Sequence, residues 1–365
     1  MTATSQFTRV LTALHIQALL DRVGRDALMD RMIDAVFHAF HGFDAEAYTI
    51  PPRSGFVYDE PSYGLVEWMP LMRAGAGVTM KSVAYHPTNP SSAGLPTILS
   101  TIGRWTTSTG HLEALCDAVV LTSLRTGAAS AVASRALAQP NARVLGLLGT
   151  GAQAVSQAHA ICRIFDIHEI AIHDIEATHA ASFPGRVSGL LRGNPAINQR
   201  PLDDILARAD ILCTATSNAP GGGPLFGGDK LHRPSLHINA VGSDFPGKIE
   251  LPVQLLARAV VVPDFLDQAH SEGECQQLEA EQIGPDLATV LQSPNAFGGV
   301  RDALTVFDST GFALEDDAAL SVLLDLAERH GIGQHLALEA SGGDPLNPYD
   351  VGTYPAVSKS YNETT

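Results

Sequence analysis

Cysteine, tryptophan and positive charge are all scarce in this chain of 365 residues. The four cysteines, Cys116, Cys162, Cys213 and Cys275, are scattered and form no CxxC pair. That spacing argues against a disulfide framework, a thioredoxin-like motif or a zinc site, and favours reduced, buried thiols. Lys and Arg number 23 against 39 Asp and Glu, for a net charge of -16. Such an excess of acid disfavours any sequence-independent grip on nucleic acid or on an anionic membrane surface. No apolar run reaches the ~18 residues that a membrane-spanning helix needs, and MTATSQFTRVLTALHIQ lacks a basic segment followed by a long apolar one. A cytoplasmic protein is the expectation. What is abundant is apolar residues, 45%, together with 33 glycines and 22 prolines, which suits an α/β enzyme with many tight connections.

The richest stretch runs from Arg143 to Asp174, RVLGLLGTGAQAVSQAHAICRIFDIHEIAIHD. Val144 to Leu148 reads as a buried strand, Ala152 to Phe165 as a helix and Glu169 to His173 as a second strand. Between the first strand and the helix, Gly149, Gly151 and Ala154 occupy the small-residue positions of GxGxxG/A. The first permits the tight turn, the second lets a pyrophosphate approach the backbone, and the third lets helix and strand lie close. The helix amides then face the phosphates. Asp174, 23 residues after Gly151, ends the second strand, where a carboxylate accepts the ribose hydroxyls of NAD and repels the 2′-phosphate of NADP. A glycine-rich turn alone would be weak evidence; strand, turn, helix, strand and acid in order predict a dinucleotide site.

The fold class expected is α/β: a Rossmann-type doubly wound NAD-binding domain over 126–313, joined to a discontinuous α+β domain from 1–125 and 314–340. Residues 341–365 read as an extended or disordered tail. In the first third, Phe7 to Leu11 reads as a strand and Arg25 to His41 as a helix with an apolar stripe at Leu28, Met29, Met32, Ile33, Val36, Phe37 and Phe40. Further strands are expected around Arg53, around Glu67, along VTMKSVAYHP with Lys81, and over Thr97 to Trp105 and His111 to Asp117. LTSLRTGAASAVASRALAQ reads as a small-residue helix packed under the nucleotide-binding sheet. ILCTATS, HINAVGSD, AVVVPD and LTVFDSTG follow as strands, the last of them final in the chain, and Leu314 to His330 as a helix that returns to the first domain.

Several polar residues lie where they could meet a nicotinamide crevice. Arg53 and Arg125 sit in apolar or small-residue settings, so each is either a carboxylate clamp or a structural ion pair. Lys81 is either an outward solubilising lysine or an inward one with a lowered pKa. Glu67, between Val66 and Trp68, needs a cationic partner. Asp244 follows HINAVGS at the carboxyl edge of the predicted parallel sheet, where it either forms an Asx turn or projects with Lys248 toward a ligand. His86 in a turn and His159 in a helix have weaker claims.

Taken together, LGLLGTGAQA, HINAVGSDFPGKIELP, RTGAASAVAS, VEWMP and FDSTGFALED resemble the ornithine cyclodeaminase and mu-crystallin family, most of all its bacterial lysine and ornithine cyclodeaminases. The resemblance extends from about Phe7 to Gly333. It implies that Arg53, Lys81 and Arg125 hold a substrate α-carboxylate, that Glu67 and Met69 line the side-chain pocket with Glu67 on the distal ammonium, and that Asp244 is the catalytic acid/base. For the cofactor it implies Thr97, Ala152, Gln153, Asp174, Thr216, Val241, Lys248 and Ser309, with Arg125 nearby. It also implies a homodimer built through the first domain, a diamino acid substrate and catalytic NAD. The segment between Arg53 and Glu67 is a few residues longer than in ornithine-specific members. A base that both accepts and returns protons leads us to expect an Asp244 pKa raised by partial burial. Two other outcomes share the fold: an amino-acid dehydrogenase or cyclic ketimine reductase, and a ligand-binding protein without turnover.

Overall fold

The computed structural model describes residues 7–231, 233–339 and 344–351. Two sheets organise it. The first contains β1 (Thr8–Leu11), β2 (Tyr48–Thr49), β3 (Ser54–Tyr58), β4 (Gly64–Arg73), β5 (Gly77–Tyr85), β6 (Ile98–Thr106) and β7 (Leu112–Asp117). The second contains β8 (Val144–Leu148), β9 (Glu169–His173), β10 (Ala196–Gln199), β11 (Ile211–Thr214), β12 (His237–Ala240), β13 (Val260–Pro263) and β14 (Thr305–Asp308). β15 (Gln334–Leu336) comes last in the chain and rejoins the first sheet, antiparallel to β1.

The second sheet is entirely parallel in the order β10-β9-β8-β11-β12-β14-β13. β11, β12 and β14 are buried throughout and β8 at every residue but Val144; β8 reads as a continuous apolar run, whereas β12 and β14 also bury His237, Asn239, Thr305 and Asp308. From β8 the chain builds first toward β9 and then, on the other side, toward β11, so the order reverses beside β8 and a crevice opens at the carboxyl ends of β8 and β11. The first sheet is mixed in the order β15-β1-β7-β6-β5-β4-β2, with β3 also paired to β4. Its long strands alternate between buried and partly exposed residues, as in β5 (GVTMKSVAY).

Helices join the two sheets. The helix Arg25–His41 buries Leu28, Met29, Met32, Ile33, Val36 and Phe40 as its stripe predicts, while Phe37 stays partly exposed beneath the Arg135 guanidinium. The helix Val119–Leu137 packs against it on one side and against the helix Ala152–Ile164 on another. Small residues make that approach possible: a Cβ on Gly127 would lie 2.6 Å from the Ser156 carbonyl oxygen. The helix Ala313–His330 leaves β14 and returns to lie on β4 and β5.

Three strands escaped the sequence reading, the first of them the two-residue β2. β10 is a short edge strand, and β15 corrects the view that LTVFDSTG is the last strand of the chain. The tail expected over 341–365 lies mostly outside the described residues; within 344–351 the chain makes turns closed by the Asp344 and Asn347 side chains. All four cysteines are free and buried. Among the described residues no helix is long and apolar enough to cross a membrane.

The Gly127 contact is with backbone and cannot yield by rotating a side chain. Gly127→Ala should therefore cost about 1–3 kcal/mol of stability, the usual cost of overpacking, read as a lower urea midpoint at unchanged slope. A midpoint equal to that of the wild type would contradict this packing.

Candidate active site

A cavity of about 360 Å³ opens between the two sheets. Arg53, Leu65, Glu67, Val83, Tyr85 and Ile98 line it from the first sheet and its entry to β3, and Tyr63 and Pro87 from adjoining turns. Ser217 to Pro220, after β11, and Asp244, Phe245 and Lys248, after β12, close it from the parallel sheet. The chamber is thus mostly apolar with a few converging charges, at the strand ends where ligands of doubly wound sheets bind.

Arg53 reaches across from just before β3. Its Nη2 donates to the carbonyls of Thr310 and Gly311, and its Nε sits 2.9 Å from Glu272 Oε1. Its Nη1 has only long contacts, 3.4 Å to the Asp244 carbonyl and 3.7 Å to Glu67 Oε2. That edge of the guanidinium is the one left for a ligand carboxylate. Glu67 is 8% exposed, and the long contact with Arg53 is the one ion pair recorded for it among the described residues. Burial pushes the Glu67 carboxyl up, and Arg53 only partly offsets this.

Asp244 projects from the turn after β12 with 42% of its side chain exposed to the cavity. Lys248 donates to its Oδ1 at 2.6 Å, and the same ammonium lies 5.2 Å from the centre of the Tyr85 ring. Burial opposes ionisation of Asp244, but Lys248 and then Arg53 outweigh it and hold the carboxyl below its ordinary value. The expectation of a raised pKa is therefore corrected: a lysine four residues on keeps this group an anion, a ready proton acceptor.

Lys81 and Arg125 lie behind this front. Lys81 points inward, 1% exposed, and its Nζ donates to Asp316 at 2.8 Å. Burial lowers its pKa to about 8, with Asp316 opposing. Arg125 pairs with Glu315 at 2.8 Å and with Asp316 at 3.0 Å. A Cβ on Gly311 would come within 3.3 Å of guanidinium nitrogens of both Arg125 and Arg53, so the two cations converge there. Neither Lys81 nor Arg125 lines the cavity, and Met69, cross-strand from Lys81, is core. For these two cations the structural ion pair is what the geometry displays.

In the nucleotide half, Gly149 has φ 85° and a Cβ there would lie 2.6 Å from the Ala215 carbonyl, so the turn itself demands glycine. At Gly151, by contrast, φ is -69° and a Cβ would meet no protein atom within 4 Å. Neither backbone nor packing requires glycine at 151, which leaves room for a group from outside the chain above the amides of Ala152 and Gln153. Asp174 is ionised, its carboxylate accepting from the Thr150 amide and hydroxyl at 2.7 Å each and from the Glu176 amide at 2.9 Å. Ser309, at the end of β14, has a buried hydroxyl with no partner. These features fit a dinucleotide.

Other expected contacts have protein partners. Thr216 donates through both amide and hydroxyl to Glu250, Val241 donates its amide to Thr214, and the Thr97 carbonyl accepts from His86. Lys248 is held by Asp244 on the substrate side of the crevice. Of the weaker candidates, His86 bonds the Tyr58 hydroxyl at 2.9 Å and His159 packs against Asp26 at 3.0 Å. Arg186, at the end of the helix that follows β9, comes within electrostatic reach of Asp174, a neighbour the sequence did not disclose. The sequence also missed the buried acids Glu250, Glu272, Glu315 and Asp316, which tie the site together.

Comparison with known proteins agrees with this geometry. The family model for the ornithine cyclodeaminase/mu-crystallin family matches residues 15–331. An L-lysine cyclodeaminase of Streptomyces rapamycinicus is 42% identical over 345 residues, 94% of this chain and 99% of that protein. A solved structure described as showing recognition of L-lysine, L-ornithine and L-2,4-diaminobutyric acid by lysine cyclodeaminase superposes with a TM-score of 0.89 at 44% identity, covering 95% of this chain and all of that one. An archaeal alanine dehydrogenase dimer with bound NAD superposes with a TM-score of 0.77 at 30% identity, over 90% of this chain and 99% of the other. The chain belongs to the ornithine cyclodeaminase/mu-crystallin family.

Proposed function

We propose that the protein is an NAD-dependent cyclodeaminase that converts a basic L-amino acid, L-lysine to L-pipecolate or L-ornithine to L-proline, with release of ammonia. The observation that carries this reading is Glu67, a buried carboxylate with only a long contact to Arg53, in the same cavity as an ionised Asp244. A buried carboxylate this poorly paired suits a ligand that brings its own cation. The family assignment and the lysine cyclodeaminase relatives support the same class of substrate.

NAD, when bound, supplies a hydride acceptor that takes the α-hydrogen and later gives it back. The residues of the chain do the rest. Arg53 grips the α-carboxylate through its Nη1 edge. Asp244 accepts a proton from the α-ammonium, which prepares Cα for oxidation to an imine. Glu67 holds the distal ammonium and, pushed up by burial, takes its proton so that the free amine can attack Cα. The bond from Cα to the original nitrogen then breaks, and Asp244 returns its proton to the departing ammonia. Re-reduction leaves a cyclic imino acid with no net redox change. The protein would act as a cytoplasmic homodimer, a reading supported by the dimeric alanine dehydrogenase relative and by the exposed Phe56 and Val57 on β3.

The function is tested by incubating the enzyme with L-lysine or L-ornithine and trace NAD. Ammonia and cyclic product should accumulate far beyond the NAD present, with no sustained NADH signal; stoichiometric NADH would show a dehydrogenase instead. Glu67→Gln should raise KM, because the distal ammonium loses its counter-ion, lower kcat, because the amine loses its proton acceptor, and blur the choice between the two substrates. A variant with unchanged KM would remove Glu67 from the substrate.

Gly151→Ala meets no protein atom, so it should leave stability unchanged while weakening NAD about tenfold or more, roughly 1.4 kcal/mol. Equal NAD affinity would contradict the assignment of that space to the cofactor.

Asp244→Asn should cut kcat by about 10²-fold or more, the usual worth of a positioned acid/base, and keep NAD binding. Lys248→Met removes the stronger of the two cations that favour ionised Asp244, leaving Arg53 alone against burial, so the carboxyl shifts up. The acid limb of kcat/KM should then move to higher pH, and a stationary limb would separate Lys248 from the proton transfer.

A further inference from the structure

Arg53 is shared between two carboxylates, and the sharing is unequal. Glu272 Oε1 stands 2.9 Å from its Nε, whereas Glu67 Oε2 stands 3.7 Å from its Nη1. Glu272 lies in the segment after β13, its side chain 3% exposed, and its Oε1 makes no hydrogen bond, its contact with Arg53 Nε being an ion pair without hydrogen-bond alignment. It does not line the cavity, so it does not touch a ligand there. The carbonyls of Thr310 and Gly311 anchor the far edge of the guanidinium.

We propose that Glu272 is a positioning residue that sets specificity for diamino acids: by engaging Arg53 from behind, it leaves Glu67 unneutralised and available to the distal ammonium of the substrate.

Around the cavity, Arg53 and Lys248 confront Glu67, Asp244 and Glu272, two cations against three carboxylates. Lys248 is committed to Asp244 at 2.6 Å, and Arg53 is closest to Glu272. The carboxylate left over is Glu67, the one that lines the chamber. Charge balance then requires a cation from the ligand. A monoamino acid brings an α-ammonium and an α-carboxylate but nothing for Glu67, whereas lysine or ornithine brings the missing charge. Without Glu272, the guanidinium would be free to close on Glu67, and the pocket would lose its demand for a cation. Burial pushes the Glu272 carboxyl up and the Arg53 guanidinium opposes it, so the charged form of this acid is favoured by that ion pair.

The inference rests on Glu67 as the site of the distal ammonium, and the test separates the two. Wild type and E272Q are compared for KM with L-lysine and for competitive inhibition by L-norleucine, the same carbon chain without the distal amine. E272Q should raise the lysine KM about tenfold and leave the norleucine Ki within about twofold of wild type or tighter, so that discrimination falls about tenfold, about 1.4 kcal/mol. E272D, which keeps the charge but withdraws it by one methylene, should retain most of the discrimination. Constants that rise together would make Glu272 a general support of the pocket, and constants that stay put would make it irrelevant; both overturn the proposal. NAD titration reports whether E272Q is folded. If it is not, E272D decides, with a small loss of discrimination expected and a ratio equal to wild type overturning the proposal. Absence of turnover in the wild type would instead overturn the cyclodeaminase reading itself.

Discussion

Everything at this site depends on how one guanidinium is held. Arg53 arrives from the first sheet and is caught by carbonyls that follow β14 of the second, by Glu272 after β13, and loosely by Glu67 on β4. A buried arginine is tolerated only when its charge and its donors are met, and here groups from both sheets are needed to meet them. The contact therefore both closes the two sheets around the cavity and sets the charge that a ligand encounters. Behind it, Arg125 and Lys81 are neutralised by Glu315 and Asp316 at the start of the helix Ala313–His330, which lies on β4 and β5. That helix carries ions across the boundary as well as apolar residues.

A division of labour follows from the two fold halves. The parallel sheet supplies the glycine turn, Asp174 and the exposed carboxylate of Asp244, all at strand ends where backbone amides and short loops converge. The mixed sheet supplies an apolar wall, Leu65, Val83, Tyr85 and Ile98, interrupted by Glu67. The wall keeps the effective dielectric low, so each charge within it acts more strongly than it would in water. Lys248, its ammonium 2.6 Å away, is the strongest of the groups that keep Asp244 ionised, with Arg53 next, and both act against burial. The same two-sheet frame is found in an alanine dehydrogenase and a lysine cyclodeaminase to which this chain is similar.

Much of this was legible in the sequence, for a physical reason. The nucleotide turn is local: Gly149, Gly151, Ala154 and Asp174 fall within one strand-turn-helix-strand unit, and each residue type answers a need of that unit. Asp244 was legible because HINAVGS is an apolar strand that must end at the sheet edge, and Glu67 because a carboxylate inside an apolar strand demands explanation. The counter-ions were not legible. Lys81 and Asp316 are 235 residues apart, and Arg125 and Glu315 are 190 apart. ALEDD reads as an ordinary acidic helix start and SEGEC as a polar turn; only the fold buries them. The same limit hid the return of β15 to the first sheet, whereas Lys248, only four residues from Asp244, was in view in the sequence and its direct pairing, which reversed the expected direction of the Asp244 pKa, depends on how the turn folds.

In the proposed cyclodeaminase reaction the hydrogen at Cα leaves and comes back within one site. L-Lysine carrying deuterium at Cα, mixed with unlabelled NAD in excess, tests this most directly by mass spectrometry of the cyclic product. The account predicts product with deuterium retained at Cα and no label in the free nicotinamide pool. Product that has lost the deuterium, with label appearing in free NADH, would contradict it.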